Sequence, residues 1–213
     1  MSIKKTNLEV SDFINFISIN NYNPSIIITD VPYPFDNKNG KNRFNYDSSM
    51  KKDNMYDRLT NDNLREIYSK LNEVSEEGCQ AFFFTDRNNL MVMSEDLNKS
   101  GWTNRNIIVW NKKKIGMGYH FRNQIEYILY VSKGKPNTFV TSIPNIFEYK
   151  KPKGESAKPF EIWRDIMDVT GKKEDNIIID PFAGTDPLSA AYQSKDWQKK
   201  IKLSISNIYT GEK

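Results

Sequence analysis

Continuous apolar runs of strand length, each closed by an acid or a turn and followed by a helix-length amphipathic stretch, restrict this chain to an α/β sandwich built on a largely parallel sheet. Ser25-Ile26-Ile27-Ile28-Thr29 and Asn176-Ile177-Ile178-Ile179-Asp180 are the plainest of these runs. Strands are predicted at 25–29, 79–85, 105–110, 124–131, 176–180 and 201–205, and helices at 11–19, 60–74, 88–99, 159–169 and 187–194. In the second helix Leu64, Ile67, Tyr68 and Leu71 recur at helical spacing, and Thr60 or Asp62 can cap its N-terminus. Two polar segments, 31–56 and 133–158, carry no such pattern and read as long loops, which inside compact domains are often functional.

A length of 213 residues suits one domain, 1–213. The single cysteine, Cys79, excludes an internal disulfide framework, and its place in an apolar run predicts burial. His120 is the only histidine, so metal chemistry resting on several histidines is excluded and no metal site is expected. No apolar stretch approaches the ~20 residues that span a bilayer, and the polar start of the chain has no signal-peptide core. A soluble cytoplasmic protein without a membrane partner is therefore expected. The formal charge of +4 agrees with a polyanionic partner without requiring one.

Ligands of open α/β sheets bind beyond the carboxyl ends of the strands. Two predicted strands end in chemically loaded turns there. The first run leads into Asp30-Val31-Pro32-Tyr33-Pro34-Phe35, an acid followed by a stiff aromatic turn. The other leads into Asp180-Pro181-Phe182-Ala183-Gly184-Thr185, a small-residue turn that lets backbone approach a nucleoside closely before the next helix opens. Read in isolation, the first is also what an ordinary strand-to-loop turn would show, with Asp30 as a cap.

Together these blocks resemble the beta class of S-adenosylmethionine-dependent DNA amino-methyltransferases. Asp30-Val31-Pro32-Tyr33 is similar to their D-P-P-Y signature, with Val31 replacing a proline, and the turn at Asp180 to their D-P-F-A-G-S-G motif. Ser156-Ala157-Lys158-Pro159 looks like the end of their H-P-T-E-K-P element. The stretches around Trp110 and around Arg122 to Glu126 look like their W-x-K and R-x-x-H-E blocks, with Ile125 in place of the histidine. The resemblance covers about 21–194, with the catalytic motif ahead of the cofactor motif, the permuted order typical of that class.

The resemblance implies a Rossmann-like methyltransferase fold: a mostly parallel sheet with one antiparallel strand and helices on both faces. It implies methyl transfer to the exocyclic amine of a base in DNA, N6 of adenine first because an aspartate heads the motif, with cytosine N4 the near variant and RNA the lesser substrate. Asp30 and the carbonyl of Val31 would accept the amine hydrogens and localise the nitrogen lone pair, Pro32 would stiffen the turn, and Tyr33 with Phe35 would stack the extruded base. Asp180, Pro181, Phe182, Ala183, Gly184 and Thr185 would lie against the cofactor, with Ser156 and Lys158 at its methionine end. Lys112, Lys113, Lys114 and Arg122 form a basic stretch suited to DNA phosphates, and equally to a solvated turn.

Three departures fall on cofactor binding. Asp186 stands where the family has a second glycine, Ser206 and Asn207 end the strand that normally closes with an acid, and 3–7 lacks the usual acid before the first helix. They leave an alternative: a weak or inactive methyltransferase-like subunit that binds nucleic acid or a partner chain. The segment 134–158, where this class carries a target-recognition domain, is too short for a module of its own. Recognition is therefore minimal, lies in 31–56, or comes from a partner or a second copy in a homodimer. A dinucleotide-binding enzyme is disfavoured by the lack of any G-x-G-x-x-G.

Overall fold

The computed structural model describes residues 5–8, 23–31, 60–116, 118–136, 143–152, 158–170, 176–183, 186–194 and 201–208. They form an eight-stranded sheet from β1 (Lys5–Leu8), β2 (Ile26–Asp30), β3 (Gln80–Thr85), β4 (Thr103–Asn111), β5 (Ile125–Ser132), β6 (Ile146–Phe147), β7 (Asn176–Asp180) and β8 (Ile201–Ile208), in the order β1-β8-β7-β2-β3-β5-β4-β6. Every neighbouring pair is parallel except those of β5, which runs against both β3 and β4. The expected doubly covered sheet with one reversed strand is what forms.

Alternation along β2 and β3 explains how unbroken apolar strands make two cores. Ile27, Ala81 and Phe83 point to one face, where helices α1 (Asn61–Val74) and α2 (Leu90–Lys99) bring Leu64, Ile67, Tyr68, Leu71, Met93 and Leu97. Ile26, Ile28, Phe82 and Phe84 point to the other, against Ile162, Trp163, Ile166 and Met167 of α3 (Phe160–Thr170) and Leu188 and Ala191 of α4 (Pro187–Gln193). A strand covered on both sides has no solvent face to keep polar. Trp163 stacks on Phe84 with ring centres 4.4 Å apart, and the Trp102 indole donates to the Tyr68 carbonyl at 3.0 Å, so the large rings are placed by contacts as well as by burial.

Helix α1 starts where its sequence signals put it. Thr60 takes the cap, accepting from the Asn63 amide, while the Asn63 side chain accepts from the Thr60 amide. Cys79 is buried, which pushes its thiol up to about 12, so it is packing rather than a nucleophile. No described helix is long and apolar enough to cross a membrane.

The structure adds two strands to the sequence reading. β1 lies in the polar N-terminal stretch and pairs with β8; β6 interrupts the segment 133–158, read as loop throughout, and pairs with the edge of β4. β4 starts at Thr103 and β8 continues to Ile208, both longer than expected. The predicted helix at 11–19 lies outside the described residues.

Candidate active site

Two acids end two neighbouring parallel strands. β2 and β7 pair with Ile26 opposite Ile178 and Ile27 opposite Ile179, so Asp30 and Asp180 leave the sheet at the same edge. The Thr29 hydroxyl donates to Asp180 Oδ1 at 2.7 Å, and the Phe182 amide donates to the same oxygen at 3.1 Å. One carboxylate oxygen thus ties β2 to the turn that follows β7. Asp180 Oδ2 is buried with no partner among the described residues. Burial pushes the Asp180 carboxyl up to about 7 against those two hydrogen bonds, and the nearby charges of Asp30 and Asp186 act in the same direction as burial.

Asp186 shows how the turn closes without its expected glycine. It sits at φ +61°, ψ +53°, the left-handed conformation that glycine adopts without strain. Aspartate is among the few side chains that enter this region, because it can bond locally. Here it accepts from the Ser189 amide at 3.1 Å and so caps α4, with Pro187 at the first helical position.

Asp30 is partly open, its side chain 28% exposed. Lys158, 128 residues away and just before α3, reaches Asp30 Oδ2 at 2.6 Å. Its ammonium also lies 3.3 Å from Glu126 Oε2 and 5.8 Å from the centre of the Phe84 ring. Glu126 takes Lys112 on its other oxygen at 3.2 Å. A chain of alternating charge, Asp30–Lys158–Glu126–Lys112, therefore crosses the carboxyl edge of the sheet from β2 to the far end of β4. Burial works to raise the Glu126 carboxyl, yet the two flanking lysines outweigh it and hold the group below its ordinary value.

Beyond Glu126 a cavity of about 600 Å³ opens between the β3–α2 turn and the β4–β5 connection, lined among others by Asp86, Arg87, Lys112, Tyr119, Glu126 and Tyr127. Asp86 holds its rim in shape by accepting from the amides of Asn88 and Asn89, each at 2.9 Å.

Of the residues singled out in the sequence, the structure brings Asp30, Val31, Lys158, Asp180, Pro181, Phe182 and Ala183 to one edge, with Val31, Phe182 and Ala183 buried. Pro32, Tyr33, Phe35, Ser156, Gly184 and Thr185 lie outside the described residues. Lys158, expected at the methionine end of a cofactor, has its ammonium on Asp30 and Glu126. Lys112 pairs with Glu126 and Lys113 with Glu148, whereas Lys114 is exposed and Arg122 donates to the Gly116 carbonyl at 2.7 Å. Thr29 and Glu126 were given no role from sequence. The signal for each was present: a hydroxyl closing an isoleucine run, and one acid in the run Ile125–Ser132.

Comparison with known proteins bears on the family and the fold. The N6/N4 methyltransferase family, described as DNA methylase, matches residues 25–168. The Type II methyltransferase M.HhaII of Haemophilus parahaemolyticus is 33% identical over 85 residues, a match covering 37% of this chain and 36% of that relative, so the chain spans about a third of it. Among solved structures, the complex of M1.HpyAVI with SAM superposes with a TM-score of 0.68 at 15% identity, covering 98% of this chain and 95% of that one. The cytosine-N4-specific PvuII DNA methyltransferase superposes at 0.67 and 10% identity, covering 98% and 82%. At such identities these two likenesses establish the fold.

Proposed function

Because this chain belongs to the DNA methylase family, we propose that it transfers a methyl group from S-adenosylmethionine to the exocyclic amine of a DNA base, N6 of adenine, at the carboxylate of Asp30. The observation that supports this most is the setting of Asp30. It ends β2 beside the Asp180 turn, partly open, with Lys158 on one oxygen.

An exocyclic amine is a weak nucleophile because its lone pair is delocalised into the ring. Acceptors that hold its hydrogens draw the nitrogen toward tetrahedral geometry and restore the pair. With Oδ2 held by Lys158, Asp30 Oδ1, which has no partner among the described residues, is the oxygen offered to the amine. The carbonyl of Val31 is the second acceptor. Asp30 then takes the proton that nitrogen sheds as the new N–C bond forms. Tyr33 and Phe35 are assigned the stacking of the extruded base.

The turn after β7 fits the donor. Asp180 fixes the Phe182 amide, Ala183 keeps the approach small, and the buried Asp180 Oδ2 remains unsatisfied beside it. We assign Asp180, Pro181, Phe182, Ala183, Gly184 and Thr185 to the nucleoside part and Ser156 to the methionine end, leaving Lys158 to orient Asp30. When bound, S-adenosylmethionine would supply an electrophilic methyl on sulfonium, while the protein contributes alignment and the acceptors.

The test is transfer of labelled methyl to DNA, followed by digestion to nucleosides. N6-methyldeoxyadenosine is expected, and Asp30→Ala should abolish it. Label appearing only in N4-methyldeoxycytidine would move the assignment to cytosine. No label in DNA at saturating donor would favour the second reading, a DNA-binding subunit without catalysis, to which the ion pair on Asp30 lends support.

A further inference from the structure

The connection between β4 and β5 does more than reverse the chain. Residues 112–124 contain Lys112, Lys113, Lys114 and Arg122 and neither Asp nor Glu. Between the lysine run and Arg122 stand Tyr119 and Phe121, 81% and 93% exposed. Large rings are seldom left so far in solvent, and exposed rings flanked by cations are the composition that single-stranded nucleic acid selects: ring faces for bases and ammonium or guanidinium groups for phosphates.

The connection is also built to hold its shape. The Gly116 amide donates to the Asn123 carbonyl at 2.7 Å, the Lys112 amide to the Gln124 carbonyl at 3.0 Å, and the Arg122 guanidinium folds back onto the Gly116 carbonyl. A Cβ on Gly116 would lie 2.7 Å from the Asn123 carbonyl oxygen, and one on Gly118 2.9 Å from that of Phe121, so both positions need glycine for this close return. The rings are thus carried on a braced hairpin. Its inner side forms one wall of the 600 Å³ cavity, and Glu126, at the base of the same hairpin, is the partner of the Lys158 that holds Asp30.

On the reading of the chain as a DNA methyltransferase, we propose that this hairpin is its strand-engaging lip: Tyr119 and Phe121 stack on bases of an opened DNA strand, and Lys114 and Arg122 take the flanking phosphates. The cavity behind the rings receives the strand on its way to Asp30. Lys114, Arg122 and Arg87 across the cavity have no acidic partner among the described residues, so they can serve a polyanion without first breaking an ion pair. Stacking and phosphate contacts are sequence-tolerant, so the hairpin supplies strand engagement and leaves choice of target sequence to other contacts.

The test is fluorescence anisotropy of a labelled duplex carrying an unpaired adenine, read beside calorimetric binding of S-adenosylmethionine. Replacing both rings, Tyr119→Ala with Phe121→Ala, should weaken DNA binding roughly tenfold or more, since each stacked base carries a contribution of that order. Cofactor binding should be unchanged. Replacing both by tryptophan should restore DNA binding, and Lys114→Ala should lower the salt dependence by about one ion. Wild-type affinity in the double alanine variant would overturn the lip while leaving the methyltransferase reading standing. Absence of any DNA binding by the wild-type chain would overturn both. Loss of self-association on sedimentation, with DNA affinity intact, would assign the rings to a second copy of the chain instead.

Discussion

The hydroxyl of Thr29 donates to Asp180 Oδ1 at 2.7 Å across 151 residues, and so couples the strand that carries Asp30 to the turn that follows β7. Removing it leaves a fully buried carboxylate oxygen with the Phe182 amide alone. Thr29→Val should destabilise the fold by about 1–3 kcal/mol, the cost of an unsatisfied buried polar group, and weaken cofactor binding, whereas Thr29→Ser should restore most of both. Urea denaturation with calorimetry on the three proteins measures this. Equal midpoints for valine and wild type would remove the coupling.

Asp180 also gives stability a pH dependence of unusual sign. Its folded value lies near 7, above the 3.8 expected of the unfolded chain, so between those limits the native state holds the extra proton. Stability from this group is therefore fully present below about pH 4 and is lost as pH rises toward 7, the reverse of a salt-bridged aspartate. Asp180→Asn, which mimics the neutral acid, should flatten this part of the profile and raise stability at pH 8 relative to wild type by a few kcal/mol. Urea midpoints from pH 4.5 to 8 decide it.

Glu126 behaves in the opposite way. Its folded value is held down by Lys158 and Lys112, so its contribution is present above the unfolded value and disappears as pH falls through the folded one. Glu126→Gln should cost stability at neutral pH and little in acid. In the transfer assay Lys158→Met should slow turnover about tenfold or more by freeing Asp30 to rotate, with Lys158→Arg intermediate. A Lys158→Met enzyme with unchanged turnover and raised KM would return that lysine to the cofactor.

At Asp186 the backbone and the cap can be separated. Asp186→Gly removes left-handed strain at the loss of only a few tenths of a kcal/mol in capping, for a net gain of about 0.5–1 kcal/mol. Asp186→Ala keeps the strain and loses the Ser189 bond, for a loss of about 1–2 kcal/mol. Thermal melts of the two variants should move in opposite directions.

Much of the fold was legible because strands covered on both faces need no polar side, so β2, β3, β5 and β7 stand out as apolar runs. β1, with the sequence Lys-Thr-Asn-Leu, and the two-residue β6 carry no such pattern, since an edge strand can take its order from the neighbour it pairs with. The site was legible where chemistry is local: Asp30 at the end of β2 and the Asp180 turn could be read from adjacent residues. The Lys158 pairing could not, because nothing within its own segment distinguishes an ammonium bound for Asp30 from one bound for a cofactor carboxylate. Only the packing of α3 under Phe84 decides which oxygen that side chain meets.

The reversal of β5 has an evolutionary side. Parallel neighbours must be joined by a crossover that travels over a face of the sheet, and any insertion there disturbs a packed helix. Because β4 and β5 run in opposite senses, their junction is a direct hairpin at the carboxyl edge of the sheet, braced within itself and by the Lys113–Glu148 pair rather than by a helix packed on either face. Length and composition can drift there without repacking either core, which gives the scaffold a tip that can be exchanged while the sheet stays as it is.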